Sequence, residues 1–155
     1  MSRIKAALTG ALAALTLAGC GLLPDPAGGG EYQVGETVST AWFDYTVKQV
    51  QAADSYEGRA AGQGERLVVA ELTLTNTFEQ AVPMFDADFQ LYWGAEGQEE
   101  MVLPLETFCQ AQLPSEYDLD AGESRTGTLV YQVPAEAGNF TLAFLEVFDN
   151  GTDQG

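Results

Sequence analysis

From residue 31 onward, apolar side chains recur at every second position, the repeat of an extended strand and not of a helix. Phe43, Tyr45 and Val47 alternate with Trp42, Asp44, Thr46 and Lys48. Val68, Ala70, Leu72 and Leu74 alternate with Glu71, Thr73 and Thr75, while Leu67 and Val69 open a second apolar face. Phe89, Leu91 and Trp93 form a third run, and Leu129, Tyr131 and Val133 a fourth. Phe140, Leu142, Phe144 and Phe148 form the last. β-Branched and aromatic residues dominate these runs, as a pleated, half-buried surface favours. Turn formers separate them. Residues 94–97 (Gly-Ala-Glu-Gly) read as a hairpin turn after Trp93, and residues 120–123 (Asp-Ala-Gly-Glu) as a turn before the strand at Arg125. Pro134 closes that strand, and Pro83 and Pro104 favour edges or connections. The polar stretch from Ala52 to Glu65, with Gly58, Gly62 and Gly64, reads as a mobile loop. About seven short strands in roughly 115 residues predict an all-β, two-sheet antiparallel sandwich, with a small barrel as the competing architecture.

The first twenty residues have a different grammar. Arg3 and Lys5 precede a largely apolar stretch from Ala6 to Ala18. That stretch is shorter than the ~20 residues a spanning helix needs, and it has the length and flanks of a signal-peptide core. It ends in Leu17, Ala18, Gly19 and Cys20, which resembles a bacterial lipobox. That resemblance implies a diacylglyceryl thioether on Cys20 and cleavage just before it, so residues 1–19 are expected to be a lipoprotein signal peptide. Residues 20–32 then form a lipidated cysteine and a tether: two prolines stiffen its start, and Gly28, Gly29 and Gly30 act as a swivel. The expected location is the extracytoplasmic face of a bacterial membrane, with the lipid anchor as the membrane contact.

Charge and cysteine content narrow the chemistry. The chain has 6 basic and 23 acidic residues, a net charge of −17, and no histidine. Removal of Arg3 and Lys5 leaves four basic residues and brings the charge to −19. Phosphates repel such a surface, so no nucleic-acid partner is expected, and no glycine-rich phosphate loop opens a helix, so no nucleotide is expected either. Without histidine the chain lacks the commonest general base and the commonest metal ligand. With Cys20 lipidated, Cys109 has no partner, and no internal disulfide is expected. Cys109 is then a buried small hydrophobe, half of an intermolecular disulfide, or a reactive or metal-binding thiol; the absence of basic residues from 106 to 112 favours the first.

Carboxylates are the one abundant functional group. Asp86 and Asp88, and Asp118 and Asp120, are two residues apart, which on a strand puts each pair on one face about 7 Å apart. A glycosidase uses such a pair only when burial raises one carboxyl's pKa, and a chain this acidic produces pairs by chance. Hard oxygen ligands for calcium cluster at residues 149–153 and 118–123, but neither run matches a calcium-loop pattern, and a solvated acidic surface accounts for both. No catalytic residue, metal ligand or cofactor is assigned, and no enzyme activity is expected.

Three segments resemble a known family. Residues 66–77 (RLVVAELTLTNT), 119–127 (LDAGESRTG) and 129–134 (LVYQVP) are similar to a strand, a turn and a following strand of exported bacterial immunoglobulin-like domains. This is a domain of unknown function common on surface lipoproteins of Gram-positive bacteria, similar in fold to the secreted mycobacterial immunoprotective antigen. Ala121 stands where the family's turn has proline. The resemblance spans about residues 33–148 and implies an immunoglobulin-like β-sandwich, with residues 149–155 as a polar tail. It implies structural roles for Asn76 as a turn cap, Gly122 at positive φ, and Gly127 at a bulge or close backbone approach. The functional expectation is a membrane-anchored binding or adhesion module, with an envelope protein or polymer as its partner; the alternative is an accessory lipoprotein of an envelope complex.

Overall fold

The computed structural model describes residues 2–6, 31–95 and 98–145. The described residues form thirteen strands: β1 (Ser2–Ala6), β2 (Glu31–Tyr32), β3 (Thr37–Ser39), β4 (Phe43–Ala53), β5 (Ser55–Tyr56), β6 (Arg59–Ala60), β7 (Glu65–Asn76), β8 (Val82–Phe85), β9 (Phe89–Trp93), β10 (Glu100–Val102), β11 (Glu116–Leu119), β12 (Ser124–Pro134) and β13 (Phe140–Phe144). A single 3₁₀ turn, Asp86–Asp88, separates β8 from β9, and no α-helix occurs among the described residues. One sheet has the order β12-β7-β4-β3, the other β10-β9-β13-β1-β2; β8–β11 and β5–β6 are two-stranded ribbons. The architecture is the expected immunoglobulin-like antiparallel β-sandwich. Cys109 is a free thiol, so among the described residues packing and hydrogen bonds hold the sheets without a disulfide.

Strand β1 falls within the segment expected to be removed as a signal peptide. It pairs antiparallel with β13, from Ser2 opposite Phe144 to Ala6 opposite Phe140, and parallel with β2. A chain cut before Cys20 retains β10-β9-β13 in this sheet without β1.

The alternating residues meet between the sheets. Phe43, Tyr45 and Val47 of β4, Val68, Ala70, Leu72 and Leu74 of β7, and Leu129, Tyr131 and Val133 of β12 are buried against Phe89, Leu91, Phe140, Leu142 and Phe144. Aromatic rings from the two sheets meet edge to face: Phe43 on Phe144 at 5.0 Å, and Tyr45 on Phe89 at 5.6 Å. This geometry sets the positive ring edge on the negative face of its neighbour. The register of β4 shifts between Val47 and Gln49. Lys48 is therefore the extra residue of a β-bulge, and the shift returns Val50 to the side of the core after three residues instead of two.

The second apolar face of β7 is also covered. Leu67 and Val69 join Val130 and Phe108 in a smaller cluster under the 105–113 loop. That loop also protects the outer edge of β12: Leu105 N–H donates to the Val130 carbonyl at 2.7 Å, and Leu113 N–H to Thr128 at 2.9 Å. The Ala52–Glu65 stretch departs from the expected loop. It continues β4 to Ala53 and then folds into the β5–β6 hairpin, with Glu57 and Gly58 at φ of 46° and 79°. Two consecutive left-handed residues suit the twist of a two-residue hairpin. Arg59 locks it down, stacking 4.2 Å over Phe108 and donating to the carbonyls of Thr107 and Phe108.

Candidate functional site

The carboxylate pairs do not assemble into a shared site. Asp86 and Asp88 lie in the 3₁₀ turn and not on a strand, so they do not share a strand face. Asp86 is buried; loss of water raises its carboxyl above the usual range, opposed by the Ala87 N–H bond. Asp88 is raised by burial as well. In the other pair, Asp118 and Asp120 are exposed. The adjoining turn uses its own acid internally: Glu123 accepts from Asp120 N–H at 2.9 Å and from Arg125 at 2.8 Å. The Asp120 N–H bond, then Arg125, hold the Glu123 carboxyl below its ordinary value. Among the described residues no three metal-ligating side chains come together. The calcium candidate at 149–153 and Cys20 lie outside the described residues.

Cys109 is half-buried beside the smaller cluster, not sealed in the main core. Burial pushes its thiol up, and Glu57 adds to the shift. Both effects oppose the thiolate that a nucleophile or metal ligand needs.

The three motif residues fill structural posts. Asn76 is 2% exposed, and its amide donates to the carbonyls of Gln80 at 2.8 Å and Leu119 at 2.7 Å while accepting Phe78 N–H at 2.7 Å. It ties the end of β7 to the end of β11. Gly122 has φ of 75°, the left-handed turn conformation. At Gly127 a Cβ would lie 2.6 Å or less from two Leu113 side-chain atoms, so glycine admits the covering loop.

An apolar groove of about 350 Å³ lies at one end of the sandwich. Its floor is core: Phe43 at the start of β4, Val82 and Met84 of β8, and Phe144 at the end of β13. Trp42, Phe78, Phe85 and Leu145 line it from more exposed positions, with Asp88. The alternation in β8 explains the division, since Val82 and Met84 point inward and Phe85 is left on the outer face at 41% exposure. The Asn76 contacts shape the turn that carries Phe78. Strand periodicity in the sequence does not reveal this groove. The available signal was local: Phe78 sits in a polar turn, and Phe85 falls out of phase with Val82 and Met84. A second recess, lined by Gln49, Gln51, Tyr56, Glu71 and Thr128 among others, measures about 70 Å³, room for about two waters.

Fold and groove together define a one-domain immunoglobulin-like β-sandwich with an open apolar end. The chain belongs to the family described as Domain of unknown function (DUF4352), whose model matches residues 32–153. Solved structures share the fold at low identity. The yjhA protein of Bacillus subtilis is 20% identical, with a TM-score of 0.53 over 72% of this chain and 78% of that one. A conserved hypothetical protein of Bacillus anthracis is also 20% identical, with a TM-score of 0.52 over 76% of this chain and 92% of that one. The candidate lipoprotein ycdA of Bacillus subtilis is 16% identical, with a TM-score of 0.51 over 65% of this chain and 30% of that one. No curated protein matches the chain in sequence. No helix among the described residues is long and apolar enough to cross a membrane.

Proposed function

We propose that the protein is a membrane-anchored extracytoplasmic binding module, held by a lipid on Cys20, that engages its ligand at the end groove. The single observation that carries the binding reading is the groove itself. It leaves Phe78 and Phe85 about 40% exposed, side by side with the core residues that floor it. Open apolar recesses of this kind on a soluble fold mark contact sites for ligands or partners. The anchor reading rests on the basic start, the short apolar stretch and Leu17–Cys20, and fits a fold shared with a candidate lipoprotein. A single acyl chain binds membrane only marginally, whereas the two chains of a diacylglyceryl group hold stably. The likeness to the mycobacterial antigen rests on the sequence motifs alone and adds no ligand.

Two measurements test this reading. Cells fed labelled palmitate should label the wild-type protein, and Cys20→Ala should abolish the label and accumulate uncleaved precursor. An unlabelled wild type refutes the anchor. With Trp93→Phe as background, Trp42 fluorescence should change saturably with a small apolar alcohol, and Phe85→Asp should abolish the change. A linear, unsaturated response refutes the groove as a binding site.

A further inference from the structure

The groove's lining has a chemistry that selects among ligands. Three of its more exposed residues, Trp42, Phe78 and Phe85, are aromatic, and ring faces present negative charge to whatever approaches them. Among the described residues Asp88 is the acidic one of the lining, and no described lysine or arginine accompanies it. Asp88 is half-buried at the groove, and burial raises its carboxyl. The surrounding chain has 23 acidic residues against 6 basic ones.

We propose that the groove binds an organic cation whose charge is wrapped in apolar groups, of the alkylammonium class. This rests on the groove being a binding site, as proposed above, and adds the class of ligand. The alternatives fail on elementary grounds. An anion meets a carboxylate and the negative field of the whole chain. A bare inorganic cation would surrender its hydration to walls that are mostly hydrocarbon. A neutral apolar molecule fills the groove but brings no charge to answer Asp88. An alkylated ammonium satisfies all three demands: its alkyl shell packs on Phe43 and Met84, its charge faces the aromatic rings, and Asp88 supplies the counter-charge. The volume of about 350 Å³ lies at the small end of the ~300–1,000 Å³ usual for small-molecule sites, which suits a compact headgroup.

The test uses the protein purified from membranes in non-ionic detergent, carrying Trp93→Phe so that Trp42 reports. Tetraethylammonium is titrated against a neutral branched alcohol of similar shape, with calorimetry as a second readout. Tetraethylammonium should bind saturably and about tenfold tighter than the alcohol. Asp88→Asn and Phe85→Ala should each weaken the cation about fivefold or more. Asp88→Asn should leave the alcohol's affinity unchanged, which shows that the groove is still folded. Equal binding of cation and alcohol keeps the groove as a site and overturns the cation preference. Binding of neither overturns both readings. Cation binding that vanishes in about 0.5 M NaCl and ignores both substitutions is diffuse attraction to an acidic surface, and overturns the proposal.

Discussion

Replacing Asn76 should damage this domain more than any other single polar change among the described residues. The side chain is 2% exposed and makes three hydrogen bonds, to Gln80 O, Leu119 O and Phe78 N–H. A net hydrogen bond contributes about 0.5–1.5 kcal/mol, and a buried group left without a partner costs about 1–3 kcal/mol. The Leu119 carbonyl lies in a buried contact, while the Gln80 carbonyl and the Phe78 N–H are part-buried and recover some hydration from water. Asn76→Ala should therefore cost about 2–4 kcal/mol, or about 8–17 °C in melting temperature for a domain of this size. Asn76→Asp keeps the acceptor for Phe78 N–H but turns a carboxylate oxygen toward two carbonyls. Its folded pKa must rise above the unfolded value, so the stability it retains is present at low pH and lost as pH rises through that raised pKa. At about pH 7 it should be no more stable than Asn76→Ala, and acidification to about pH 5 should narrow its deficit against wild type. Urea unfolding followed by tryptophan fluorescence at both pH values measures this. A loss under about 1 kcal/mol for Asn76→Ala, or an Asn76→Asp protein as stable as wild type at neutral pH, refutes the reasoning.

Gly127→Ala should cost about 1–3 kcal/mol through the clash with Leu113, and adding Leu113→Ala should recover part of it; additive losses in chemical denaturation would remove that explanation. Cys109 should react with a thiol reagent more slowly than a free cysteine at about pH 8, because burial and Glu57 raise its pKa; the rate should climb with pH and jump in denaturant, and an immediate native reaction counts against this. Asp86 and Asp88 have carboxyls raised by burial, so the stability they contribute is present at acid pH and lost as pH rises through those raised values, and Asp86→Asn should flatten that part of the melting-temperature profile. Glu123, with its lowered pKa, works the other way and loses its contribution as pH falls through that value; an Asp86→Asn profile that parallels wild type at every pH would contradict the raised Asp86 carboxyl.

Much of the sandwich could be read from residue spacing. The inward faces of β4, β7, β12 and β13 are the alternating residues themselves, because a strand's side chains change sides at every step. Gly122 and Asn76 were legible as a turn glycine and a turn cap, since few residue types perform those local jobs. Three features were not. The bulge at Lys48 shows only as a broken alternation, Val47 then Val50, which alone reads as the end of a strand. The β5–β6 hairpin has a polar sequence and is held from outside, by Arg59 on Phe108 some fifty residues away. Cys109 looked like a core residue by composition, and is half-buried because its loop lies across β12 and not beneath it.

By itself the sequence determined the strand class, the absence of an internal disulfide, the acidic surface and the address-like first twenty residues. These depend on spacing, counts and local covalent chemistry. The groove was decided by tertiary structure alone. Trp42, Phe78, Phe85, Asp88 and Leu145 belong to separate connections and strand ends, and they share a wall because the sheets pack so that β4 begins where β13 finishes and β8 crosses beside them. Alternation tells which side of a strand a residue takes. It does not tell which strand ends converge, and that convergence leaves the aromatic wall open.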